Sequence, residues 1–512
     1  MPKPGKEKSE AIAVIDIGSN ELRLRVAEDK QGKLKSLEHI SYPLSLGKDT
    51  FSDEKINFQH IEKVNENIKN FLTVMAGYGV KRYRAVTTTA IRESKNRDYI
   101  LDQIKIKTGV TLDVLDDAEE KSYIYKLMAG LVDPAYLESA LMVYTGAGNI
   151  GVSVWMNGKI PYVQNVKMGS LRLSGMFEEI QEYTGRFYTA VEEYIKSLTD
   201  FLNLPGGIKN VIISGQEASM IAELTEAKRG KSFLTIEGKK LEALFGDIKN
   251  KAVERIAEDY NISREKAGVL LPAVLIYRNL LSLTDANNIV SPHAFLSDAL
   301  LYEMLYPARF YTINREFNKS TLICAYATAD KYRSKAAHYK AVEHHALQIF
   351  DRMRKIHGMG KRDKLLLQTA AVLHDVGKFI NLNRHYMHSY NIVKGTSITG
   401  LNILETEIVA QLCLYHSRLT PETEPEPYQK LSVHERVLVS KLAAILRLAE
   451  ALDSSHKQKI ESIEAVVSEG GLLITAGTNE NMDLEVWAFG EKAEMFEEVF
   501  GIKAAVKQRR SV

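Results

Sequence analysis

Residues 11–28 read AIAVIDIGSNELRLRVAE, and the fold turns on how that stretch is read. Residues 11–17 are apolar apart from Asp16 near the end, which predicts a buried strand. Gly18, Ser19 and Asn20 then form a turn, and Leu22, Leu24 and Val26 alternate with Arg23 and Arg25 as in a half-buried outgoing strand. A turn of this kind presents backbone N–H groups and short polar side chains around a concavity sized for a phosphate oxygen. Asp16 beside it is placed to hold a divalent cation, usually through water. Taken alone, the same pattern also describes an ordinary hairpin, so its meaning depends on the rest of the chain.

The chain has 512 residues, enough for three or four domains, since a single core seldom grows beyond about 250–300 residues. Its 45% hydrophobic and 26% charged composition is that of a soluble globular protein. A net charge of +2 gives no general attraction to nucleic acid or to a membrane surface, and neither partner is expected. The two cysteines, Cys324 and Cys413, lie far apart in apolar surroundings, the pattern of a reduced cytoplasmic protein. The start, MPKPGKEKSE, lacks an apolar targeting core, and no apolar run reaches about 18 residues, so neither export nor membrane insertion is expected.

Outward from the opening stretch, residues 54–78 carry Ile56, Ile61, Val64, Ile68, Phe71 and Leu72 at helical spacing. Residues 82–96, RYRAVTTTAIRESKN, predict a short strand, a cluster of Thr87, Thr88 and Thr89, and a helix carrying Arg92. The threonines either contact an anion or cap the helix. In residues 110–130 a strand leads through an acidic turn into a helix opening with Glu119 and Glu120. Carboxylates there complement the helix dipole, and one fixed in a cleft also orients and deprotonates a water. Residues 139–155, SALMVYTGAGNIGVSVW, repeat the strand, glycine turn and strand of the opening about 130 residues later. Two related halves facing each other across a cleft are the expectation. VKMGSLRLS adds Lys167 and Arg172, and NVIISGQEASMIA adds a third strand and turn at Ser214 and Gly215. Strands, glycine turns and helices recur to about residue 305, which is α/β organisation.

The order of DIGSN, TTTAIRES, the EE-initiated helix, the second glycine loop, SG and then SPHAFLSDALLYEML resembles the exopolyphosphatase and guanosine pentaphosphate phosphohydrolase family, Ppx/GppA, of the actin-like superfamily. The resemblance implies two ribonuclease-H-like halves, a homodimer, polyphosphate or guanosine penta- or tetraphosphate as partner, and a cleft in which the terminal phosphoryl of polyphosphate or the 5'-γ-phosphate of pppGpp is hydrolysed with Mg²⁺. It implies phosphate contacts at Gly18, Ser19, Asn20, Arg23, Thr89, Arg92, Gly146, Gly148, Asn149, Ser214 and Gly215, with Asp16 at the metal and Glu120 as the catalytic carboxylate. Phosphoryl transfer needs a positioned water and neutralised oxygens rather than a covalent nucleophile, which suits this set. The second loop departs from the family pattern. Tyr144 stands where an Asp is usual, Ala147 replaces a glycine, and Asn149, Ile150 and Gly151 replace Ser-Thr-Glu. Glu21 replaces a serine in the first motif, and Gln216 and Glu217 follow the third turn where small residues are usual. Loss of two metal-side carboxylates predicts weaker Mg²⁺-dependent phosphate binding.

From about residue 318 the pattern changes to amphipathic helices. His338 shares a stripe with Val342, His345 and Ile349, and a buried helix ends in His374-Asp375. His385, His388 and His416 follow, then Glu450 and Asp453 on a further helix. The spacing resembles the HD metal-dependent phosphohydrolase superfamily, which implies a metal site of His338, His374, Asp375 and Glu450, with Asp453 as the alternative last acid and His388 and His416 as secondary candidates. Imidazoles and carboxylates converging from several helices suit Mn²⁺ or another divalent transition metal. The alternative is a relic scaffold that grips polyphosphate. LTPETEPEPYQK, residues 419–430, reads as a mobile surface loop. Beyond residue 458, IEAVVS, GLLITAG and MDLEVWAF alternate like three strands ahead of the amphipathic AEMFEEVFGI, with KQRR as a basic tail.

The expected architecture is an α/β actin-like (ribonuclease-H-like) pair of domains, residues 1–130 and 131–312, an all-α HD-type domain, 313–457, and a small α+β subdomain, 458–512. The expected function is hydrolysis of terminal phosphoanhydride bonds, with polyphosphate favoured over pppGpp. One alternative moves the chemistry to the HD metal site, and another is a polyphosphate- or alarmone-binding regulator without turnover.

Overall fold

Ile12–Ile17 is buried on both faces, which is why its sequence is an almost unbroken apolar run. Ala13, Ile15 and Ile17 pack into one core and Ile12 and Val14 into another, as the two-residue period of a strand requires. The computed structural model describes residues 10–157, 159–180, 184–202, 204–230, 232–421, 425–468 and 470–510. The polar residues 1–9, and residues 422–424 of the Pro/Glu-rich stretch, lie outside the described residues. The chain divides into two compact units, Met1–Phe317 and Asn318–Val512.

In the first unit Ile12–Ile17 pairs antiparallel with Glu21–Lys30, which pairs antiparallel with Lys33–Pro43. On its other side it pairs parallel with Arg82–Thr87, followed by the short strand Asp113–Val114. The second sheet uses the same order. Ser139–Thr145 pairs antiparallel with Ile150–Met156, which continues to Lys159–Val166, and parallel with Asn210–Gly215, which continues to Asn288–Ser291. Leu234–Glu237 and Lys228–Arg229 extend that edge. The repeated glycine-turn motif therefore reflects a repeated sheet topology. One core is shared by the two sheets, with Ile12, Val14 and Val86 from the first and Ala140, Met142 and Ile212 from the second. Ile124 and Met128 of the helix Asp117–Leu131 and Leu300 of the helix Leu296–Leu305 pack in that same layer. The carboxyl ends of Ile12–Ile17 and Ser139–Thr145 thus face one cleft, the usual place for a ligand in such sheets.

The second unit packs Ala336–Arg352, Lys361–Leu373, His385–Lys394, Ile403–Tyr415 and Val433–Ala451 around one apolar core. Asn402 with Glu405, and Ser432 with Glu435, form capping boxes that start the last two helices. A three-stranded sheet of Ser462–Ser468, Gly471–Gly477 and Ala504–Arg509 follows. The structure corrects two expectations in this region. MDLEVWAF belongs to the helix Asp483–Phe500, and the third strand includes the basic tail. Alternation in MDLEVWAF is coincidental: Leu484, Val486 and Trp487 are exposed, while Glu485 is buried in an ion pair with Lys459 at 3.1 Å. Among the described residues, no helix is long and apolar enough to cross a membrane.

Candidate functional site

The cleft of the first unit is built where three turns meet. Gly18 N donates to Glu21 O at 2.9 Å, closing the first turn, while Ser19 O and Asn20 O accept from Gly47 N and Leu44 N at 2.8 Å each. Gly146 N donates to Asn149 O at 2.9 Å and closes the second turn. Asp16, Gly18, Ser19, Asn20 and Arg23 line the cleft from one side, Gly146 from the other, and Thr89 and Glu120 between them.

The helix Asp117–Leu131 starts with a reciprocal capping box between Asp116 and Glu119. Glu119 is thereby spent on the helix end, and Glu120, about 100° further round, turns into the cleft. Glu120 is buried, and its Oε2 makes no hydrogen bond, the nearest cation being the Arg92 guanidinium at 3.7 Å. Burial, with Glu120 and Glu21 nearby, pushes the Asp16 carboxyl up to about 6 against the opposing charge of Arg23. Burial also raises the Glu217 carboxyl, whose Oε1 accepts from Ser170 Oγ.

Five of the expected phosphate contacts support the cleft from behind. Arg92 donates to Leu115 O at 2.6 Å and pairs with Asp117. Asn149 Nδ2 donates to Asp117 Oδ1 at 2.8 Å and its Oδ1 accepts from Lys121 Nζ at 2.9 Å. Ser214 Oγ lies 2.9 Å from Pro292 O and 2.7 Å from Ala294 O. Gly148 packs on Phe51, and Gly215, at φ +143, on Thr145, so that a Cβ at either would collide. None of these five lines the cleft. In their place stand Glu21, Thr88, Tyr144, Thr145, Ala147, Gln216, Glu217 and Leu296. Tyr144, Gln216, Glu217 and Glu21 are visible in the sequence as departures from the family pattern, and that is the available signal. Gly151 faces the Tyr125 hydroxyl and the Lys121 stem at under 3 Å from an added Cβ, so buried Lys121 fills the volume a side chain at 151 would need.

A second cluster lies within the helical unit. Gly377 permits it: a Cβ there would meet His385 O at 2.1 Å, so only glycine lets the turn after Asp375 lie against the helix His385–Lys394. His338, His374, Asp375 and His416 are buried together, and His338, Asp375 and His456, or His374, Asp375 and His416, each form a set able to grip one ion. Burial lowers His374 to about 3 and His456 to about 4, so both stay neutral near pH 7. Burial opposes ionisation of Asp375, but the Lys378 ammonium at 2.6 Å outweighs it and holds the carboxyl below the usual carboxylate range. Asp453 accepts from His338 Nδ1 at 2.8 Å and so joins this cluster. Glu450 does not: its carboxylate pairs with the Lys492 ammonium. The two acids lie three positions apart, and Asp453, just past the helix Val433–Ala451, is the one aimed inward. Likewise His385, rather than His388, reaches Asp375, at 3.4 Å.

The family model described as Ppx/GppA phosphatase family matches residues 25–306, and one described as Ppx/GppA phosphatase, domain III, matches residues 323–487. The chain is 19% identical over 475 residues to a guanosine-5'-triphosphate,3'-diphosphate pyrophosphatase of Vibrio parahaemolyticus, covering 91% of each. It is 21% identical over 456 residues to a protein of the same name from Pseudoalteromonas translucida, covering 87% of this chain and 88% of that one. Among solved structures, the Ppx/GppA family member of Aquifex aeolicus aligns with a TM-score of 0.50 at 20% identity, over 59% of this chain and 99% of its own. An exopolyphosphatase from Cytophaga hutchinsonii aligns with a TM-score of 0.50 at 18% identity, over 58% and 98%. These two share the fold.

Proposed function

Because the chain belongs to the Ppx/GppA phosphatase family, we propose that the cleft of its first unit hydrolyses the terminal phosphoanhydride bond of a linear polyphosphate or of a guanosine polyphosphate. The observation that carries this reading is the unpartnered, buried Glu120 Oε2 in a cleft shared with Asp16 and two closed glycine turns. Glu120 accepts a proton from water as the water oxygen bonds to the terminal phosphorus. The bond from that phosphorus to the bridging oxygen breaks, giving phosphate and a chain shorter by one unit. Thr88, Thr89 and the turns at Gly18 and Gly146 surround the oxygens of the phosphoryl group.

The donor set suits Mg²⁺. Asp16, Glu120 and Glu217 bring three buried carboxylates to one cleft, and a hard divalent ion relieves their mutual repulsion. When bound it neutralises the phosphoryl oxygens. Glu217 adds a carboxylate from the third turn where the second turn lacks one, which supports retained activity over a regulator without turnover. Polyphosphate stays the favoured substrate, in a cytoplasmic homodimer whose helical part is a separate HD-type domain. In that domain His338, His374 and Asp375 hold a divalent transition metal, and Asp453 orients His338. Phosphate release from polyphosphate and from pppGpp, with Mg²⁺ and with a chelator, tests the proposal. Mg²⁺-dependent release from either supports it, and no release from both sinks it.

A further inference from the structure

Two departures from the family pattern in the first unit, Glu21 and Gln216, meet each other. Glu21 opens the strand Glu21–Lys30 of the first sheet, and Gln216 opens the helix Gln216–Leu224 behind the strand Asn210–Gly215 of the second. The Gln216 amide Nε2 donates to Glu21 Oε2, and the Arg23 guanidinium pairs with that same oxygen. All three residues line the cleft. One carboxylate therefore ties the first turn to the third and holds Arg23 as it does so.

Among the described residues that line the cleft, Arg23 alone carries a cationic side chain, against the carboxylates of Asp16, Glu21, Glu120 and Glu217. Residues 21, 23 and 25 share one face of their strand, but Arg25 is committed to Asp298 at 2.8 Å and does not line the cleft. An incoming chain of phosphates thus finds its guanidinium partner occupied. Arg23 is itself fixed from behind, its Cζ lying 4.6 Å from the centre of the Phe295 ring. Glu21 is the movable partner, with 22% of its side chain exposed. Its carboxylate can swing to water without disturbing the first turn, because Gly18 N bonds the backbone oxygen of residue 21 and not the side chain. Glu217, next to Gln216, is held by Ser170 Oγ and stays in place when Gln216 lets go.

We propose that Glu21 is a latch on the substrate cleft: its carboxylate occupies Arg23 and hooks Gln216 until a phosphate of an incoming linear phosphoanhydride takes its place on the guanidinium. The inference rests on the reading of this cleft as the phosphoanhydride site and names the residue that sets its affinity. Phosphate and carboxylate oxygens compete for the same fork of N–H donors. Each contact broken at Glu21 has to be matched by one formed with substrate, so the latch raises the substrate concentration at which the cleft fills. A serine at position 21, the usual residue in the family pattern, is short and uncharged and leaves Arg23 to the substrate.

The test titrates methylenediphosphonate, whose P–C–P bridge resists hydrolysis, into the full chain with Mg²⁺ present and reads the affinity by calorimetry. Wild type, Glu21→Ser, Arg23→Gln and the two changes combined are compared, each checked by thermal melt. Glu21→Gln, the same size without the charge, replaces Glu21→Ser should the shorter side chain perturb the turn. Removing the Glu21 carboxylate is expected to tighten binding about tenfold, and less than about threefold when Arg23→Gln is already present. Affinity unchanged or weakened by loss of the carboxylate overturns the latch. A gain undiminished in Arg23→Gln also overturns it, since that gain comes from relieved repulsion rather than a freed guanidinium. Absence of binding in wild type and Glu21→Ser alike overturns it too. Phosphate release from polyphosphate and pppGpp by the same wild-type protein is scored separately. No release together with the tenfold gain sinks the hydrolytic reading and leaves the latch standing, whereas release without the gain sinks the latch alone.

Discussion

Glu119 and Glu120 are neighbours with opposite duties, one satisfying the N–H of its own helix start and the other facing a cleft with one oxygen free of any hydrogen bond. The EE pair is legible in the sequence, and the split between its members follows from helical geometry once the capping box is located. Asp16 carries a pH signature. Its folded carboxyl titrates at about 6 against an ordinary value near 4, so the folded state binds the proton more tightly. Its contribution to stability is therefore present at about pH 4 and lost as pH rises through about 6. Asp16→Asn is expected to raise the metal-free protein's stability at pH 8 by about 1–3 kcal/mol and to leave it nearly unchanged at pH 4, as read by denaturant unfolding. Equal effects at both pH values would contradict the assignment. Mg²⁺ binding runs the other way, since only the ionised carboxylate attracts the ion: the apparent Mg²⁺ affinity of the metal-free protein rises with pH through about 6, and an affinity independent of pH there would remove Asp16 from the metal. At Gly151, restoring a carboxylate by Gly151→Glu forces side-chain atoms into the Lys121 stem and costs about 1–3 kcal/mol, a loss that Lys121→Ala in the same chain relieves.

Elements are most legible where burial is one-sided or complete. The apolar run 12–17 and the amphipathic Phe58–Gly77 leave little choice of conformation. Residues 482–489 mislead because alternation over eight residues also occurs on a helix whose exposed face carries Leu484, Val486 and Trp487. Only the partner of the buried Glu485, Lys459, distinguishes the two, and that contact is tertiary. The same holds for Glu450 against Asp453 and for His388 against His385, where spacing does not tell which of two nearby side chains meets the histidine cluster. The short turn Val376–Phe379 follows Asp375 directly and sets where the histidine cluster receives its carboxylate. Gly377→Ala would push its backbone away from His385 O and Ser389 N, with an expected loss of about 1–3 kcal/mol in urea unfolding and of bound metal. Full metal retention in that variant would show that the turn does not position Asp375.

At the scale of the molecule, the two sheets of the first unit share one strand order, and the sequence announces this through two glycine-turn motifs. What it leaves open is which turn residues face the substrate, because that depends on how the two lobes close on each other. The cleft assembles carboxylates from three separate segments, Asp16, Glu120 and Glu217, while Arg92, Asn149 and Ser214 are drawn into the support behind it. The helical unit carries its own constellation, so the chain holds two candidate reaction centres. Phosphate release from polyphosphate and pppGpp by wild type, Glu120→Gln and His374→Ala, each checked for folding, decides between them. A loss of about 10²–10⁴-fold in Glu120→Gln, with His374→Ala within a few-fold of wild type, is the predicted result. Activity retained in Glu120→Gln and abolished in His374→Ala would contradict it and place the chemistry among the histidines.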